Sequence, residues 1–238
     1  MEMAGTVVMI VGAGRGIGRA AAEMFADAGA DLVLASRNEA ELSELEWKLE
    51  RKGASVASVP TDATDAASVT RLVAEAERRF GRIDTLIYAA GIGVLKPFAE
   101  TTEEEFQRLM LTNVGGAFNI CKAVLPLMEK QKHGRIIALP GILGRAPMAQ
   151  AAAYCASKYA LTGMLKSIAL EYKRAGVGVS LLHLGGVNST FWDSITMRVP
   201  RDKMLTVTAA ARAVFFAATQ EGEGVLNEIV LQPESHQL

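Results

Sequence analysis

The chain has 238 residues, half of them hydrophobic and 21% charged, with a formal net charge of −1. That length and composition suit one globular domain with a continuous core, and no block of like charge offers a nucleic-acid or membrane-surface footprint. Two cysteines, Cys121 and Cys155, and three scattered histidines exclude a disulfide framework and give no metal-ligand spacing.

No apolar run is long enough to span a bilayer, and Met1-Glu2-Met3 lacks the basic region of a signal peptide, so a cytoplasmic setting is expected. In chain order, short bursts rich in Val, Ile and Leu predict strands at 6–11, 31–35, 55–59, 85–89, 135–139, 177–183 and 228–231. Amphipathic stretches between them predict helices at 17–28, 39–52, 66–80, 102–132, 152–175 and 208–219. Strand–helix alternation of this kind argues for a parallel sheet with helices on both faces, because parallel strands need crossover connections. The expectation is a single doubly wound α/β domain over 1–238 with a seven-stranded sheet. Residues 188–206 show no clear period and are the expected substrate lid.

The first strand runs into Val11-Gly12-Ala13-Gly14-Arg15-Gly16-Ile17-Gly18, and a helix follows at once. A dinucleotide pyrophosphate needs a tight turn, close backbone approach and free N–H groups at a helix N-terminus. Glycines allow the first two and the helix end provides the third. Strand, glycine loop and helix in that order form the Rossmann context in which such a loop binds a dinucleotide. An NAD-specific site places a carboxylate at the end of the second strand. Here that strand ends Ala35-Ser36-Arg37, and Asp31 stands at its opposite end. Arg37, and Arg15 in the loop, suit a 2′-phosphate through forked, charge-assisted hydrogen bonds, so NADP(H) is expected over NAD(H). The alternative is two ordinary surface arginines.

Tyr154 and Lys158 stand four apart in the helical segment 152–175 and share a face. Carbonyl reduction leaves an alkoxide that needs a proton, and a free tyrosine, with a pKa of about 10, is a poor acid/base at neutral pH. A neighbouring ammonium favours phenolate and is expected to lower that value.

Along essentially its whole length the chain resembles the short-chain dehydrogenase/reductases, including the 3-oxoacyl-thioester reductase-like members. The resemblance implies a cofactor loop carried by Gly12, Gly14, Gly16, Ile17 and Gly18, and an adenine contact from Asp62. Ala90 and Gly91, in Tyr88-Ala89-Ala90-Gly91, stand where the family has Asn-Ala-Gly, with Tyr88 and Ala89 departing from it. Asn113, in Leu111-Thr112-Asn113-Val114, matches the asparagine that supports the active-site lysine through water. Tyr154-Cys155-Ala156-Ser157-Lys158 matches the acid/base motif. Gly185, Gly186 and Val187 follow Leu184, a leucine where the family has proline, and match the segment lining the nicotinamide; Ser189 or Thr190 is then the hydroxyl near the cofactor phosphates. A homodimer or homotetramer is implied, formed by pairing helices 102–132 and 152–175, with a second contact through 228–238.

One departure touches the chemistry. The family normally has a serine thirteen residues before the tyrosine, and that position is Gly141, preceded by Pro140. Losing one donor to a developing oxyanion costs on the order of 10²–10³ in rate. The expected function is an NADP(H)-dependent oxidoreductase, slowed by this loss, that interconverts a small ketone or aldehyde and its alcohol. Two others stay open: a catalytically silent NADP(H)-binding sensor or assembly subunit, and an epimerisation or dehydration that recycles the cofactor. Phe191 and Trp192 either line the substrate pocket or anchor the lid. Arg198, Arg201 and Lys203 make the lid basic, as a solvated loop or toward an acidic substrate. His183 is expected to be structural, His133 and His236 to lie on the surface, and Cys155 and a partly buried Trp47 to serve packing.

Overall fold

The computed structural model describes residues 3–220 and 224–235. In chain order the elements are β1 (Val7–Val11), α1 (Gly16–Asp27), β2 (Asp31–Ser36), α2 (Glu39–Glu50), β3 (Val56–Pro60), α3 (Ala66–Phe80), β4 (Thr85–Tyr88), α4 (Glu103–Met110), α5 (Gly116–Gln131), β5 (Gly134–Ala138), α6 (Ala152–Tyr172), β6 (Val177–Leu184), β7 (Val187–Asn188), β8 (Leu205–Thr206), α7 (Val207–Ala218) and β9 (Glu228–Leu231). β1 reads VVMIV and is buried at every position, as a strand covered on both faces must be. All seven predicted strands form one parallel sheet, in the order β3-β2-β1-β4-β5-β6-β9. The chain winds outward from β1 to β3 and returns to β4 on the other side of β1. This reversal opens a crevice at the carboxyl ends of the strands, where ligands of such sheets bind.

Two hydrophobic layers hold the helices to the sheet. On one face Leu72 of α3, Ile120 and Val124 of α5 and Leu161 of α6 pack with Met9 and Ile136. On the other, Phe25 of α1, Leu45 of α2 and Val214 of α7 pack with Ile10, Leu34 and Leu182. The helix ends obey local rules. Asn38 caps α2 and Asp65 caps α3 through side-chain oxygens that accept from backbone N–H groups, and Gly81 closes α3 at a φ of +74°. At the foot of the sheet the buried Asp84 carboxylate accepts from Val7 N at 2.9 Å and pairs with Arg82.

Three expectations change. Residues 102–132 are not one uniform helix: a π turn at Leu111–Gly115 separates α4 from α5. A π turn takes one extra residue and displaces a carbonyl from the regular ladder. The Thr112 carbonyl accepts instead from the Tyr88 hydroxyl at 3.0 Å, so the tyrosine that ends β4 secures the bulge. Residues 188–206 contain short 3₁₀ turns, and β7 and β8 form a small parallel ladder across that segment. Trp47 is 61% exposed, with the Arg51 guanidinium over its ring, because α2 turns Leu42, Leu45 and Leu49 to the core instead. His236 lies outside the described residues, as do residues 236–238 of the proposed tail contact. Among the described residues no helix is long and apolar enough to cross a membrane.

Candidate active site

The carboxyl ends of β1 to β6 open into one cleft of about 960 Å³. Its floor is the glycine loop. Gly12 has a φ of +92°, and a Cβ added there would lie 2.7 Å from Ala90 N. One added to Gly18 would lie 2.1 Å from the Gly12 carbonyl, so α1 starts as close to the strand end as a backbone permits. The free N–H groups of the α1 start therefore border the cleft.

At one end stand Ser36, Arg37 and Asp62. The Asp62 carboxylate accepts from the backbone N–H and hydroxyl of Thr64 at 2.9 and 2.8 Å. Those bonds, with a smaller contribution from Arg37, hold its carboxyl below the usual range. Arg15 also lines the cleft; the arginine salt bridges of the described residues involve Arg19, Arg78, Arg82, Arg145 and Arg201 and leave Arg15 and Arg37 uncommitted. Sequence reasoning missed Glu41. Its Oε2 would lie 2.4 Å from a Cβ on Gly14, which puts a carboxylate beside the loop and Ser36. Only the return of α2 over the loop reveals this.

At the other end α6 presents Tyr154 and Lys158. Burial pushes the Tyr154 phenol above its ordinary value, contrary to the expectation that Lys158 lowers it. The reason is geometric: Lys158 Nζ lies 5.5 Å from the ring centre and donates to the Leu139 carbonyl at 3.2 Å. Desolvation therefore outweighs the ammonium. Lys158 is itself buried, which lowers it to about 8.

Asn113 sits in the π turn with no exposure. Its Oδ1 accepts from Ile92 N at 2.9 Å, while Nδ2 donates to the Ile92 carbonyl at 3.0 Å and to Ser157 Oγ at 2.9 Å. Ser157 in turn donates to the Tyr154 carbonyl at 2.8 Å. The side chain thus staples the loop after β4 to α6. Gly91 is opposite: a Cβ there would fall 3.1 Å from Asn113 Oδ1 and 3.4 Å from Lys158 Nζ.

The arrangement is a dinucleotide crevice with a tyrosine–lysine pair at one end. A model of the short chain dehydrogenase family matches residues 6–199. The chain belongs to the short chain dehydrogenase family. Among its relatives, a sepiapterin reductase from Chlorobaculum tepidum is 31% identical over 236 residues and 96% of each chain. An alcohol dehydrogenase from the archaeon Thermococcus sibiricus, solved with 5-hydroxy-NADP, superposes with a TM-score of 0.90 at 25% identity over 98% of both chains. A metagenomic short-chain oxidoreductase in complex with NADP gives 0.84 at 28% identity, over 97% of this chain and 98% of that one.

In this short chain dehydrogenase Gly141 has φ +71° and ψ 175°. That corner of backbone space belongs essentially to glycine. A Cβ at Gly141 would meet only the Leu184 carbonyl, at 3.6 Å, so conformation and not crowding bars a side chain. Gly185, Gly186, Val187, Ser189 and Thr190 line the cleft as the sequence predicts. The Ser189 hydroxyl also accepts from Phe191 N at 3.4 Å.

Beyond Tyr154 the wall is apolar. Leu95, Ile142, Leu143 and Cys155 form a separate cluster with Met148 and Met197. Phe191 stacks 5.8 Å from the Tyr154 ring, and its tip would collide with a Cβ on Gly93. Trp192 meets Phe191 edge-on and donates to the Val187 carbonyl at 2.9 Å. Both aromatics line the pocket, and the Trp192 hydrogen bond ties this segment to β7. Arg201, its side chain 40% exposed, is bound to Asn188, Asp193 and the Ser189 carbonyl within the same segment.

Proposed function

We propose that the protein is an NADP(H)-dependent oxidoreductase that interconverts an apolar ketone or aldehyde and its alcohol. The observation that carries this reading is the placement of Tyr154 and Lys158 at one end of a cleft whose other end holds the glycine loop, Arg15 and Arg37. The crevice fits a dinucleotide: its volume is at the upper end of small-molecule sites, and its loop is wound too tightly to admit a Cβ at Gly12 or Gly18. The two solved structures with NADP-type ligands support NADP(H) as the cofactor, and Arg15 and Arg37 are the residues suited to its 2′-phosphate.

When bound, the cofactor supplies or accepts hydride at the nicotinamide. Tyr154 gives a proton to the substrate oxygen. The phenol is protonated at neutral pH, as a proton donor in the reducing direction must be. Lys158, still mostly cationic at pH 7, steadies the phenolate that forms and would help hold the ribose of a bound cofactor. Asn113 is a positioning residue that locks α6 to the loop after β4. Leu95, Leu143, Met148, Phe191 and Trp192 exclude water and select an apolar, uncharged substrate. The test is NADPH consumption over a panel of apolar ketones, aldehydes and 3-oxoacyl thioesters. Turnover that survives Tyr154→Phe overturns the assignment.

The backbone of Gly141 favours a second reading, a silent NADP(H)-binding protein, because it removes the customary donor. That reading requires tight NADPH binding with no turnover on any substrate of the panel. Pairing of α4–α6 with a second copy is supported by exposed Leu111, Phe118, Tyr159 and Leu170. Sedimentation at micromolar concentration tests it.

A further inference from the structure

Phe191 stands half-buried in the 3₁₀ turn Thr190–Ser194 that follows β7, and its ring meets two other elements. On one side its centre is 5.8 Å from that of Tyr154, at a tilt of 34°, which is an aromatic contact. On the other its tip covers Gly93 in the loop after β4. A Cβ built at Gly93 would fall 2.3 Å from Phe191 Cζ and 2.7 Å from Cε2. Gly93, unlike Gly141, has no left-handed backbone, so it is the phenyl ring and not conformation that leaves no room for a side chain there. The ring thus reaches from α6 to the loop after β4 and closes the space beside Tyr154.

The backbone that carries the ring is held on both sides of it. Arg201 donates to the Ser189 carbonyl, two residues before Phe191, at 2.9 Å and to the Asp193 carboxylate, two residues after it, at 2.8 Å. Trp192 meets the ring edge-on at 5.4 Å and is itself tied to the Val187 carbonyl at 2.9 Å. A wall fixed in position discriminates by size. We propose that Phe191 is the specificity-determining residue of the substrate half, capping the space beside Tyr154 so that the site takes carbonyl compounds whose shorter arm is no larger than a methyl group. Gly93 is its complement, because a side chain there displaces the ring. Leu95, Leu143 and Met148 line the cleft for a longer, apolar arm. The size limit rests on the oxidoreductase reading of this cleft, whereas the contact between Gly93 and Phe191 does not.

The experiment uses three isomeric ketones, hexyl methyl, ethyl pentyl and butyl propyl ketone, which share one formula while the shorter arm grows by a methylene at each step. Binding to the full chain loaded with oxidised NADP, where no hydride is available, is read from Trp192 fluorescence. Trp47→Phe removes the other, exposed tryptophan. The methyl ketone is expected to bind at least about tenfold more tightly than the butyl propyl isomer, since one methylene in a shaped pocket is worth roughly 10- to 200-fold. Phe191→Ala is expected to bring that ratio to within about threefold of unity while the dissociation constant for oxidised NADP moves less than about threefold. Equal affinity for the three isomers, binding of none of them, or a preference that survives Phe191→Ala overturns the size limit. Gly93→Ala is expected to lower the melting temperature by about 2–10 °C, and by less than about 1 °C when Phe191 is already alanine, the non-additivity of two groups in contact. Equal losses in both backgrounds overturn the pairing of the two residues. With NADPH the three ketones are expected to follow the same order in kcat/KM. If they bind in this order and none is reduced, the oxidoreductase reading fails and the size limit stands.

Discussion

Lys158 Nζ lies 5.5 Å from the centre of the Tyr154 ring and gives its hydrogen bond to the Leu139 carbonyl. The pair is adjacent without being hydrogen-bonded, and burial sets the ionisation of both: the phenol is raised, and the ammonium is lowered to about 8.

Replacing Tyr154 by phenylalanine deletes the proton donor while leaving ring packing against Phe191 in place. General acid catalysis of this kind contributes roughly 10²–10⁴ in rate. The expected result is a kcat lower by that factor with an NADPH dissociation constant within about threefold of native, read by absorbance and by fluorescence titration.

Lys158→Met stabilises the protein while inactivating it. The folded pKa of about 8 lies below the ordinary 10.5, so the charged form is disfavoured in the native state. Below about pH 8 both states hold the proton and the full cost applies. Between 8 and 10.5 the unfolded chain holds more protons than the native one, and the cost fades as pH rises. The shift corresponds to about 3 kcal/mol, offset by roughly 1 kcal/mol for the lost Leu139 bond. Urea unfolding at pH 7 is expected to show a gain of about 2 kcal/mol that shrinks at pH 10.

Gly141→Ser does not restore the customary serine. The residue sits at φ +71° and ψ 175°, and holding a side chain there costs about 1–3 kcal/mol. Thermal unfolding is expected to occur roughly 2–10 °C lower, with no gain in NADPH consumption. A faster, equally stable variant shows that the turn relaxes and that the missing hydroxyl limits the rate.

Arg37→Ala weakens NADPH binding and leaves NADH binding unchanged. A charge-assisted contact to phosphate is worth about 1.5–3 kcal/mol, or roughly 10- to 100-fold in the dissociation constant. Equal losses for both cofactors count against a 2′-phosphate contact. Glu41→Gln, which removes the carboxylate near Ser36, is expected to tighten NADPH relative to NADH.

The sequence by itself determined the seven strands, their parallel arrangement and the glycine loop, because apolar runs, helical periods and glycines act over a few residues and leave a local trace. The pairing of Tyr154 with Lys158 was legible for the same reason, being one turn of one helix. Local pattern did not reveal the π turn that places Asn113, since the hydroxyl bonded to its Thr112 carbonyl comes from Tyr88 on another element. Nor did it reveal Glu41 beside Gly14, or the His183 ring between Gly141 and Glu228. The sign of the Tyr154 shift was misjudged because proximity to lysine can be read from spacing and desolvation cannot. Tertiary structure decided these points, for burial and contacts between distant residues exist only once the sheet has brought its strand ends together.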